Sequence, residues 1–169
     1  ADKGVRELMR AFSLIKNHSD DPHLVFVGPF DEGSGVSGSI SKDEIVNMPN
    51  VHFIGYSNCP ESYLAIADIL CLPSYREGFG NIVIEAAATG LPSIVSNIYG
   101  LSDAIVQNKT GLTHEPKDVE EITRLMIALF NDRKLVAELG EAAKNRAISE
   151  FDSKILVKHW KDFYSHKLT

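Results

Sequence analysis

The amino-acid sequence predicts an α/β fold: a doubly wound, Rossmann-like parallel sheet with helices on both faces, closed by C-terminal helices. Three observations predict it. Short runs rich in Val, Ile and Leu recur along the chain and often end on Gly or Pro, as strands buried on both faces do. Segments of helical period separate those runs, and this alternation gives a parallel sheet its crossovers. The 169 residues are enough for one domain with a substantial core and short for two.

Taken in order, residues 4–18 place apolar side chains at helical spacing and predict the first helix. LVFVG (24–28) is a four-residue apolar run stopped by glycine, hence a strand, and a helix is expected over 41–47. VHFIG (51–55) repeats the strand pattern, with a helix over 61–67. ILCLP (69–73) is the third strand, followed by a helix over 81–89; SIVS (93–96) is the fourth, followed by a helix over roughly 102–107. The brief GLT (111–113) is the fifth strand. From Asp118 the chain reads as helix to its end, broken near Asn131 and Phe151. Trp160, Phe163 and Tyr164 make an apolar edge on the last helix, read equally well as core packing or as an exposed edge. A helix that leads a βα series implies a strand ahead of it, so the chain is expected to be the tail portion of a longer protein.

Composition narrows the function. The chain is 44% hydrophobic and 24% charged, and it holds no apolar run long enough to cross a membrane. A net charge of −6 argues against broad nucleic-acid binding, which needs a basic face. Cys59 and Cys71 form no metal or redox spacing, and Cys71, inside an apolar run, reads as a buried free thiol suited to a reducing compartment. The histidines at 18, 23, 52, 114, 159 and 166 offer no ligand pair at helical spacing, so no metal is expected. GSGVSG (33–38) matches the dinucleotide fingerprint letter for letter. Its glycines come several residues after the strand, however, and residue 58 is Asn rather than an acid, so it reads as a surface loop.

The chemistry concentrates in REGFGNIVIEAAATGLP (76–92). With ILCLP as a strand and 81–89 as a helix, residues 74–80 form the turn at the carboxyl edge of the sheet, where open α/β folds bind ligands. Gly78 and Gly80 let backbone approach a ligand closely. The amides of Asn81, Ile82 and Val83 are expected to stand free at the positive end of the helix dipole, a cradle for phosphate. Glu85 lies four residues beyond Asn81 on the same face, and an ionised carboxylate accepts from the neighbouring hydroxyls of a ribose. Glu77 can accept likewise from a sugar. The bland reading is a well-capped helix with solvated acids, worth about 0.3–1 kcal/mol from the dipole alone.

EGFGNIVIEAAATGLPSIVS, preceded by YLAIADILCLPSYR and followed by GLSDAIVQNKTGL, resembles the C-terminal nucleotide-sugar-binding domain of GT-B glycosyltransferases. It is most similar to the retaining family 4, whose hallmark is this glutamate, seven residues, glutamate arrangement. The resemblance runs from DKGVRELMRAF through the closing helices, which makes residues 1–169 a single C-terminal domain whose N-terminal acceptor domain and first strand lie elsewhere. LPSYREGFGN is particularly like bacterial enzymes that build capsule, O-antigen or lipid-linked glycans.

The resemblance implies roles. Glu77 binds hydroxyls of the donor sugar, and the turn of Gly78, Phe79 and Gly80 brings backbone amides to the sugar and diphosphate. Asn81 and Ile82 sit at the phosphates, Glu85 takes the ribose hydroxyls, and Lys3 neutralises the diphosphate. The base rests near Ile54 to Tyr56, where packing is the rival role for Tyr56. The family's usual Arg, in the strand ahead of where this chain begins, is not in the sequence, and the 33–38 loop departs from the helical stretch of many relatives. The implied reaction is retaining transfer of a sugar from a nucleotide diphosphate, a UDP-sugar, without metal or other cofactor, to a glycan or lipid-linked acceptor. That points to a cytoplasmic enzyme with peripheral association at the inner membrane face, and to an isolated chain that binds nucleotide weakly and transfers nothing. Rival readings are a non-catalytic nucleotide-sugar-binding module, a sugar-nucleotide epimerase of GT-B architecture and a nicotinamide-dependent oxidoreductase resting on GSGVSG.

Overall fold

The structure is a computed structural model that describes residues 3–15, 21–29 and 47–167. Among these the elements run α1 (Val5–Ile15), β1 (Leu24–Val27), β2 (Val51–Gly55), α2 (Pro60–Ile66), β3 (Leu70–Leu72), α3 (Asn81–Thr89), β4 (Ser93–Ser96), α4 (Leu101–Ala104), β5 (Gly111–His114), α5 (Val119–Asn131), α6 (Arg133–Glu150) and α7 (Ser153–Lys167). All five expected strands are present. The expected helix over 41–47 and the GSGVSG stretch fall outside the described residues, apart from Asn47 in a turn, as does the end of the first helix beyond Ile15.

Every ladder is parallel. β1 pairs with β2, and β3, β4 and β5 pair in that order, so the described strands form two ladders rather than one continuous sheet. β4 is buried at all four positions, which is why SIVS shows no alternation. Ile94 joins the core of α1, α5 and α6, with Leu8, Phe12, Ile122, Leu125 and Leu139. Val95 faces the other way, onto Val83 of α3 and Leu101 and Ala104 of α4. Helices therefore cover both faces of this ladder.

The helix ends follow local chemistry. Asp118 caps α5 by accepting from Glu121 N at 2.8 Å, and Asp132 caps α6 by accepting from Leu135 N at 2.9 Å. Asp118 thus starts the helical stretch, and Asp132 sets the break expected near Asn131. Helix α4 stops at Ala104, well short of the expected residue 107, because Ile105 is extended. Val106 N–H then donates to Thr110 Oγ1 at 2.8 Å, and Lys109 N and Thr110 N return to Val106 O. The hydroxyl and the tight turn thus take the bonds that another helical turn would need.

Small residues set helix α3 in place. Ala86 and Ala87 are buried and Ala88 is exposed; Ala87 meets Ala143 and Ala147 of α6. The alanines therefore slim α3 against a helix as well as against the sheet. A Cβ on Gly140 of α6 would lie 2.1 Å from Gly90 O, just past the end of α3. On α7, Trp160, Phe163 and Tyr164 are each more than half exposed and contact one another with centroids 5.5–6.3 Å apart, Trp160 stacked on Tyr164 and Phe163 edge-on to both. The aromatic edge is exposed rather than core. Burial raises the Cys71 thiol to about 12, while Cys59 is exposed.

Two features at the carboxyl edge of β4 and β5 lead to measurable consequences. Gly100, which precedes α4, has φ +89, and a Cβ there would lie 2.2 Å from Gly78 O and 2.9 Å from Glu77 O. Gly100→Ala is therefore expected to destabilise the protein by at least about 2 kcal/mol. At Gly78 an added Cβ meets nothing within 4 Å, so Gly78→Ala should cost less than about 1 kcal/mol. Urea midpoints of the two variants check the contrast, and equal midpoints contradict it.

His114 is 3% exposed, its Nδ1 is 2.8 Å from Glu115 O, and its Nε2 is buried without a partner among the described residues. Burial holds the imidazole below its ordinary 6.5, against the pull of Asp118, Glu121 and Glu115. The unfolded chain therefore takes up this proton first. The contribution is whole above the unfolded value and is lost as pH falls below it, at up to about 1.4 kcal/mol per pH unit. The urea midpoint is expected to fall between about pH 7 and pH 5.5, and His114→Asn should remove that part of the slope.

Candidate functional site

The site is built at the carboxyl edge of β3. Gly4, with φ +64, brings the start of α1 against the end of that strand: a Cβ there would lie 2.0 Å from Pro73 O. This contact places Lys3 beside the turn that follows β3. Lys3 Nζ lies 2.6 Å from Glu77 Oε1, and Ser74 Oγ donates to the same oxygen at 2.9 Å. Ser74 is fully buried, and the Glu77 side chain is only 15% exposed against 62% for Lys3. Such a pair is worth about 0.2–1 kcal/mol. Its consequence is orientation: Glu77 Oε2 carries no partner among the described residues and remains an acceptor at the edge of the turn.

The glycine-framed turn runs into α3 as expected. Gly80 is the N-terminal cap in the left-handed region, φ +70, and a Cβ on it would meet Leu101 Cδ2 at 2.5 Å. Gly78 has open space around it. The Phe79 ring is turned toward the α6–α7 junction, 5.7 Å from Phe151, whose ring also carries the Arg146 guanidinium at 5.1 Å. With its side chain committed there, Phe79 has backbone to offer a ligand. One expectation needs correction. Val83 N–H is not free, since it donates to Gly80 O at 2.8 Å, so the first turn tightens and leaves the Asn81 and Ile82 amides as the open donors.

Asn81 and Glu85 are both exposed on α3, four residues apart, and no hydrogen bond or ion pair engages Glu85 among the described residues. Tyr56 follows β2 at the carboxyl end of the other ladder and is 76% exposed, so packing does not account for it. No hydrogen bond, ion pair or ring contact among the described residues links Tyr56 to the Glu77 turn. The structure thus gathers Lys3, Glu77, Gly78, Phe79, Gly80, Asn81, Ile82 and Glu85 around one turn and its helix, with Tyr56 on a separate strand end.

Sequence reasoning missed the residues that hold this turn: Ser74, which fixes Glu77; Gly4, which admits Lys3; Gly100, which abuts Gly78; and Phe151, which anchors Phe79. Ser74 had a signal, a hydroxyl three residues before an acid at a strand end. Phe151 had none, because its partner is seventy-two residues away. No group of three His, Cys, Asp or Glu side chains among the described residues is arranged to hold a metal ion. No described helix is long and apolar enough to cross a membrane.

Comparison with known proteins agrees with this architecture. The chain is 29% identical over 167 residues to the capsular polysaccharide biosynthesis glycosyltransferase CapM of Staphylococcus aureus, covering 97% of this chain and 43% of that protein. A glycosyltransferase from Rickettsia africae superposes with a TM-score of 0.88 at 25% identity, over 100% of this chain and 45% of that one. The HepE protein of Anabaena, crystallised with UDP-glucose, has the same fold, with a TM-score of 0.82 at 18% identity, covering 98% and 46%. The chain therefore spans less than half the length of each. The architecture is that of GT-B glycosyltransferases, mixed α/β with parallel strands and C-terminal helices. The profile of the glycosyl transferases group 1 family matches residues 1–146, and the chain belongs to that family.

Proposed function

We propose that this chain is the donor-binding domain of a retaining, family 4 glycosyltransferase that moves a sugar from a nucleotide diphosphate sugar to a glycan or lipid-linked acceptor. The observation that carries the reading is the junction of Lys3, Ser74 and Glu77 on one carboxylate oxygen, beside a helix start whose Asn81 and Ile82 amides are open. In this reading the exposed ammonium of Lys3 and the two amides hold the diphosphate, and Glu85 accepts from the ribose hydroxyls. Glu77, oriented by Ser74 and Lys3, offers Oε2 to the donor sugar. Tyr56 lies toward the base. The fold shared with a protein crystallised with UDP-glucose favours a UDP-sugar as donor.

The chemistry follows from those placements. As the bond from the anomeric carbon to the diphosphate breaks, negative charge grows on the leaving phosphate. A fixed ammonium and helix amides stabilise that charge more than they stabilise the ground state. The turn from Ser74 to Gly80 carries no second carboxylate, so Glu77 serves as an anchor rather than a nucleophile. The acceptor reaches the same face from which the diphosphate leaves, which retains the anomeric configuration, and no metal takes part. Acceptor binding and the remainder of the cleft are assigned to the rest of a longer protein. Surface polysaccharide synthesis at the inner membrane face fits the similarity to CapM.

Titration calorimetry with UDP tests the donor site. Glu85→Gln is expected to weaken UDP binding by about tenfold or more without lowering the thermal midpoint. Undiminished affinity in that variant, or binding of NAD with UDP ignored, overturns the reading.

A further inference from the structure

Beside the Glu77 turn stands an aromatic side chain that the donor-site roles leave unused. Tyr99 follows β4 at its carboxyl edge and is 86% exposed, with no hydrogen bond or ring contact to its side chain among the described residues. Single exposed apolar residues are ordinary. Tyr99 differs in how it is held. On one side Ile98 packs into the core cluster of α3 and α4, and its N–H donates to Ser96 O at 2.9 Å. On the other side Gly100 lies so close to the turn that its Cβ would be 2.2 Å from Gly78 O, and the next residue, Leu101, is completely buried. Ser102 N–H closes the loop by donating to Ile98 O at 3.0 Å. Two inward anchors therefore force the residue between them outward on a rigid loop, one position from the backbone that touches Gly78.

A pyranose ring has polar hydroxyls at its rim and C–H groups on its faces. Carboxylates and amides satisfy the rim; an aromatic ring covers a face and adds apolar contact area with only two rotatable bonds to immobilise. The Glu77 turn supplies the first kind of partner, with Glu77 Oε2. Tyr99 supplies the second from the adjoining loop. We infer that Tyr99 is a sugar-contacting residue whose ring stacks on the C–H face of a pyranose at the mouth of the site. This rests on the proposed function. The pyranose is that of the donor or of the acceptor, and the experiment separates them.

Full-length protein carrying Tyr99→Ala, Tyr99→Phe or Tyr99→Trp is compared with the unaltered protein in steady-state transfer and in UDP titration. Tyr99→Ala is expected to raise KM for one sugar substrate by about tenfold, while UDP affinity stays within about twofold. Tyr99→Phe and Tyr99→Trp should keep KM near the original, because the ring face and not the hydroxyl makes the contact. A raised donor KM assigns the stacking to the donor sugar, and a raised acceptor KM assigns it to the acceptor. Unchanged KM values in Tyr99→Ala, a Phe variant as impaired as the Ala variant, or an equal loss of UDP affinity each overturn the inference. An unaltered protein that neither binds UDP nor transfers sugar overturns the proposed function first, and this inference with it.

Discussion

The rest of the site depends on a close backbone approach at the end of β3. Gly4 sits where any side chain would collide with Pro73 O, and Gly100 sits where any side chain would collide with Gly78 O. These two contacts clamp the turn between the start of α1 and the loop ahead of α4. Steric exclusion of this kind is not screened by salt and does not titrate, unlike the Lys3–Glu77 pair it positions. The ion pair is the visible feature of the site, and the glycines are its cause.

The clamp also explains how one carboxylate can be both held and available. Ser74 and Lys3 spend one oxygen of Glu77 and leave the other. The burial of Ser74 fixes the hydroxyl, and the short reach from α1 fixes the ammonium, so the free oxygen points from a side chain with little freedom left. Preorganisation of that kind lowers the entropy lost when a hydroxyl arrives.

Much of this was legible in the sequence, for identifiable reasons. Strands β1 to β5 were readable because LVFV, VHFIG, LCL, SIVS and GLTH are short apolar runs bounded by turn formers, and α3 because Gly80 and Gly90 frame it. The Glu77 turn was readable because glycines at 78 and 80 between a strand and a helix have few other uses. Where the reading slipped, a bond across a turn decided. Thr110 reached back to Val106 and shortened α4, and Gly80 O took the Val83 amide. The contacts of Ser74 with Glu77 and of Phe79 with Phe151 depend on which elements meet in space. Periodicity along one segment carries no record of that.

Helix α6 meets the end of α3 through bare backbone at Gly140 and Gly90, with alanines 87, 143 and 147 filling the seam. A methyl group added at Gly140 has nowhere to go except into the Gly90 carbonyl that follows the inner helix, and the inner one begins at the open Asn81 and Ile82 amides. The seam is thus not a neutral field for sequence drift. A larger side chain at Gly140 therefore requires α3 and α6 to move apart, so this seam is expected to tolerate little increase in amino-acid size.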